Sequence, residues 1–83
     1  MLQSYLEAAM RHAHDELIQD DEPYYGEISP LPGVWATGQT LEECRHNLLE
    51  AVDGWLVFRI SRGMAIPPLD HIQIEVPREM LLA

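Results

Sequence analysis

The chain has no lysine, one cysteine, a single phenylalanine and no apolar run long enough to span a bilayer. Each scarcity removes a class of function. With 5 arginines against 14 acidic residues, the formal charge is -9, which repels nucleic acid and anionic membrane and favours basic partners. Neither direct nucleic-acid binding nor membrane association is expected. One cysteine cannot close an intrachain disulfide, and no signal-peptide pattern is visible, so the expected location is a reducing cytoplasm. Eighty-three residues make one domain, able to bury only roughly 60% of its unfolded surface. Self-association into a dimer or tetramer would add to that core.

What is present is concentrated between residues 24 and 43. Two β-prone runs, Tyr24 to Ile28 and Val34 to Thr37, flank Ser29-Pro30-Leu31-Pro32-Gly33, where proline presets φ and glycine can take a positive φ. That pattern predicts a hairpin. Thr40-Leu41-Glu42-Glu43 follows as a helix start, with the Thr40 hydroxyl placed to cap the Glu43 amide.

Upstream, Leu2, Tyr5, Leu6, Ala9 and Met10 fall at helical spacing, and Ala13 to Gln19 is short enough for an edge strand. Asp20-Asp21-Glu22-Pro23 marks the turn into the tyrosine strand. Downstream, a long helix is predicted from about Leu41 to Ser61, stopped by Gly63. Its apolar stripe is Leu41, Cys44, Leu48, Ala51, Val52, Trp55 and Leu56, and Val57, Phe58 and Ile60 widen it toward the C-terminus, predicting deep burial or a subunit contact there. Ile72 to Val76 alternates as a half-buried strand and Pro77 ends it. The expected class is α+β: a three-stranded antiparallel meander plus a C-terminal strand, one long helix on the sheet and a short N-terminal helix. Residues 1–12 are assigned to that helix, 13–76 to the core and 77–83 to a tail. The second sheet face could be covered by the N-terminal helix, another copy or a partner.

Tyr25-Gly26-Glu27-Ile28, Leu31-Pro32-Gly33-Val34-Trp35-Ala36-Thr37-Gly38, Thr40-Leu41-Glu42-Glu43, Leu48-Leu49-Glu50, Trp55-Leu56 and Gly63 before Ile66-Pro67, in that order, resemble the HicB-type antitoxin family. The resemblance covers about residues 13 to 76. It implies a partial ribonuclease H-like domain that binds and neutralises a small basic HicA-like mRNA-cleaving toxin by covering its RNA-binding or active surface. It also implies a short form, since many members carry a C-terminal DNA-binding domain. The partner-binding residues expected on this basis are Asp15, Glu16, Asp20, Asp21, Glu22, Tyr24, Tyr25 and Glu27, whose carboxylates would meet a basic surface while the tyrosines supply contact area. Leu2, Tyr5, Leu6, Trp55 and Phe58 are the expected oligomer contacts.

Other chemistry is weighed against plainer roles. A metal-dependent nuclease would need carboxylates such as Asp15, Glu27, Glu43 and Glu50 to converge, and their spacing identifies no such centre. His12, His14, His46 and His71 lack a close ligand motif. Cys44 lies on the apolar stripe and reads as a small core residue; Trp35 and Trp55 read as core or subunit-contact aromatics. No catalytic residue, metal or cofactor is assigned, and the alternatives to an antitoxin are an orphan oligomeric scaffold or regulatory module and, behind it, a divergent nuclease.

Overall fold

The computed structural model describes residues 2–75. Along it run α1 (Leu2–Arg11), β1 (Ala13–Leu17), β2 (Tyr24–Ile28), β3 (Trp35–Gly38) and α2 (Leu41–Ser61). The strands form an antiparallel sheet in the order β1-β2-β3, the meander that short links dictate. β1 ends two residues earlier than expected: the Ile18 amide still donates to the in-register Pro23 carbonyl at 2.8 Å, but proline has no N–H to return a bond and the ladder stops there. In the second hairpin Gly33 adopts φ +84°, and Leu31 folds back from the proline-rich turn to become fully buried.

The ends of α2 follow local chemistry. The Thr40 hydroxyl accepts the Glu43 amide at 3.0 Å, while the Glu43 carboxylate reaches past Thr40 to the Gln39 amide at 3.2 Å. At the other end Gly63 takes φ +65°, its amide bonds Ile60 and the Met64 amide bonds Arg59, which is a Schellman closure.

Both helices lie on one side of the sheet. α2 packs on β3 and β2, and α1 packs on α2. Tyr5, Ala8 and Ala9 of α1 share one core with Leu48, Val52 and Leu56 of α2 and Ile28 and Ala36 of the sheet. The inward surface of the strands is small where α2 approaches. A Cβ at Gly38 would lie 2.8 Å from the Cys44 Cα, and one at Gly26 would lie 3.3 Å from both the Cys44 sulfur and Leu48. The opposite sheet face receives neither helix.

Three expectations change. Tyr5 is fully buried inside the protomer, its hydroxyl donating to the Pro67 carbonyl, so it is core and not a surface for another copy. Val57 and Phe58 are 62% and 49% exposed, because α2 outruns a sheet only four or five residues long and its far end turns them away from the core, which removes the deep-burial alternative but not the subunit contact. The expected fourth strand is not seen over its described part: Ile72 makes an isolated bridge to Leu69, 73–75 belong to no strand, and Val76 lies outside the described residues. The Leu69–Ile72 bridge closes a two-residue turn with Asp70 and His71 at φ 48° and 69°, and Asp70 receives Arg11 at 3.4 Å and His12 at 2.9 Å. These bonds fasten the end of α1 to the segment after α2.

Two substitutions test this packing. Gly38→Ala forces a methyl group into the α2 backbone and should lower stability by about 2–3 kcal/mol in urea denaturation. Tyr5→Phe leaves the Pro67 carbonyl without its donor and should cost about 1–2 kcal/mol, with the denaturant slope unchanged.

Candidate functional site

Strand register sorts the expected site residues onto two faces. Asp15 pairs with Gly26 and Gly26 with Ala36, so Asp15 shares the helix-facing side with those small residues. One residue along, Glu16 pairs with Tyr25 and Tyr25 with Thr37, while His14 pairs with Glu27 and Glu27 with Trp35. Because successive side chains alternate, these six residues lie together on the face without helices.

The open face is built around two aromatic rings. Tyr25 and Trp35 stack with centroids 6.2 Å apart and planes at 22°. Trp35 is 56% exposed, which removes the core alternative of its reading and leaves that of a contact aromatic: its parity is opposite to that of Val34 and Ala36, which do point inward. Glu22 arrives from the β1–β2 turn, its carboxylate accepting the Thr37 hydroxyl. Desolvation by its neighbours pushes the Tyr25 hydroxyl above its ordinary pKa, and the charges of Glu27 and Glu16 push it further. The aromatic pair is therefore ringed by carboxylates.

The remaining expected residues sit elsewhere. Asp15 Oδ2 meets the Arg45 guanidinium at 2.9 Å, while Oδ1 is buried without a hydrogen-bond partner among the described residues. Asp15 thus ties β1 to α2 and does not contribute to the open face. Tyr24 is half-buried, in the cross-strand row of Leu17 and Gly38. Asp20 and Asp21 are exposed in the turn, where Asp20 accepts the Glu22 amide at 3.3 Å. Among the expected oligomer contacts, Leu2 and Phe58 are exposed and Leu6 and Trp55 half-buried against the core. Sequence reasoning missed Trp35, His14 and Thr37 as members of the open face; the available signal was their strand parity with Tyr25 and Glu27.

No other arrangement among the described residues gathers reactive groups. Asp15, Glu27, Glu43 and Glu50 occupy the inner sheet face, the outer sheet face, the α2 start and the exposed side of α2, so they do not converge. Among the described residues no three His, Cys, Asp or Glu side chains group as metal ligands. His46 instead faces Glu50 at 3.8 Å along α2. Cys44 is buried and its thiol lies 3.6 Å from the Ala36 carbonyl; burial, then the nearby Asp15 charge, raises its pKa. No helix among the described residues is long and apolar enough to cross a membrane.

An antiparallel meander closed on one face by two helices and open on the other, where an aromatic pair is surrounded by carboxylates, defines a small α+β domain with a flat acidic surface. The chain belongs to the UPF0150-like family, whose pattern matches residues 4–67. It is similar to a crystal structure of TTHA0281 from Thermus thermophilus, with 58% identity over 92% of this chain and 94% of that one and a TM-score of 0.87. A comparison with curated proteins gives no match.

The split between faces is measurable. Arg45→Ala should lower stability by about 1 kcal/mol in urea, since it strips the partner from a partly buried carboxylate. Glu16→Gln on the open face should leave stability within about 0.5 kcal/mol.

Proposed function

We propose that this chain is a HicB-like antitoxin, a non-enzymatic protein that binds a small basic HicA-like mRNA-cleaving toxin and covers its RNA-binding or active surface. The observation that carries this reading is the open sheet face, where Glu16, Glu22 and Glu27 surround Tyr25 and Trp35. A basic RNA-binding surface is complementary to it in charge, and the two aromatics supply rigid contact area at low entropic cost. Asp20 and Asp21 at the adjoining turn extend the negative field and act chiefly on the rate of encounter. Asp15 has a structural part, consistent with its bond to Arg45.

A second reading, an orphan oligomeric scaffold or regulatory module, draws on Val57 and Phe58 at the exposed end of α2. In both readings a homo-oligomer would use that end together with Leu2, Leu6 and Trp55.

Co-expression with the small basic protein encoded beside this chain separates the two. The antitoxin reading expects a co-purifying complex in which mRNA cleavage is suppressed. The double variant Glu16→Lys, Glu27→Lys should remain folded, associate at least about tenfold more slowly and release cleavage. Absence of such a neighbour, or cleavage untouched by the wild-type chain, sinks the antitoxin reading.

A further inference from the structure

Among the described residues the open sheet face carries no arginine, and its one basic side chain, His14, lies opposite Glu27 on the strand away from Trp35. Every arginine among the described residues is engaged elsewhere: Arg11 with Asp70, Arg45 with Asp15, Arg59 with the Ala65 carbonyl at 2.9 Å and over the Trp55 ring at 4.4 Å, and Arg62 over the Phe58 ring at 4.8 Å. Trp55 and Phe58 thus each carry a guanidinium on an aromatic face. Trp35, more exposed than Phe58, carries none among the described residues. Glu27 is its direct cross-strand neighbour, and Glu16 is that of the Tyr25 ring stacked on it. Neither carboxylate has an ion-pair partner among the described residues.

We propose that Trp35, with Glu27 and Glu16 beside it, is a receptor for an arginine side chain of a partner protein. The guanidinium plane lies on the open face of the indole while its edge donates hydrogen bonds to Glu27, with Glu16 adding charge. Arginine fits this arrangement better than lysine. Its flat, weakly hydrated cation stacks on a ring and still offers in-plane donors to a carboxylate, whereas an ammonium is a compact, strongly hydrated point charge. The occupant is therefore an arginine presented on a basic protein surface. This inference deepens the antitoxin reading by naming what the open face recognises, and rests on that reading only for the partner's identity.

The test uses the full chain and two probes of equal charge, hexa-arginine and hexa-lysine peptides, titrated calorimetrically at constant ionic strength. Hexa-arginine should bind about tenfold more tightly. Trp35→Ala should abolish that preference and leave a weaker, purely charge-driven binding of both peptides; Glu27→Gln should weaken both. Trp35 is exposed, so the variant is expected to fold, and circular dichroism checks it. In nitrogen-edited NMR spectra, the indole signal lost in Trp35→Ala should be the one that moves when hexa-arginine is added to the wild type. Equal affinities for the two peptides, or a preference that survives Trp35→Ala, overturn the receptor whatever co-expression shows. A preference that depends on Trp35, combined with no toxin partner, leaves the receptor standing and removes the antitoxin reading alone.

Discussion

The seating of α2 on the small-residue bed of the sheet is the constraint from which the rest follows. Gly26, Ala36 and Gly38 let the first turns of the helix come close enough for Cys44 to touch the Ala36 carbonyl and for Leu48 to reach Gly26. A helix that approaches so closely selects one sheet face absolutely. With the side chains alternating, a bed of Gly26 and Ala36 on the inside places Tyr25, Glu27, Trp35 and Thr37 on the outside. The same constraint requires Asp15, opposite Gly26, to enter the helix side, where Arg45 supplies its counter-charge. Core and open surface are two readings of one register.

α1 completes the core without competing for the open face. Its Tyr5, Ala8 and Ala9 are fully buried beside α2, and the Tyr5 hydroxyl reaches Pro67, sixty-two positions away in the chain. Arg11, His12 and Asp70 add a second tie at the other end of the helix. Being exposed, these contacts contribute little individually and serve mainly to set the position of the Asp70-His71 turn. Burial of the Tyr5 ring is the larger effect, and desolvation accordingly raises the pKa of its hydroxyl against the opposing pull of Arg59.

How legible the molecule was in its sequence depended on the range of the interactions involved. Thr40 with Glu43, Gly33 and Gly63 act within a few residues, so both α2 ends and the second hairpin could be read directly. The central positions of the α1 and α2 stripes were legible for the same reason, because periodicity is local, whereas Leu2 and Leu41 at the helix starts are exposed and Ala8 was missed. Facing was not. Asp15 and Glu16 are adjacent in sequence and chemically alike, yet one is half-buried and paired with α2 and the other is open to solvent. Grouping them by proximity merged a structural residue with a surface one. For Trp35 the sequence left core and subunit contact as alternatives, and only the pairing of Glu27 with Trp35 turns it outward. Leu31, in a proline-rich turn, and Tyr5, held by a carbonyl at the far end of the chain, depend on tertiary contacts that no local pattern encodes.

The burial of Cys44 bears on where such a chain could work. A thiol reacts with oxidants, metals and other thiols as its thiolate, and this one is enclosed beneath the helix with its ionisation discouraged by burial and by Asp15. It is also the chain's sole sulfhydryl. Burial and the suppressed thiolate therefore shield Cys44 from thiol exchange and oxidation as long as the protein is folded. A single cysteine had suggested a reducing environment, but the fold itself makes no such demand.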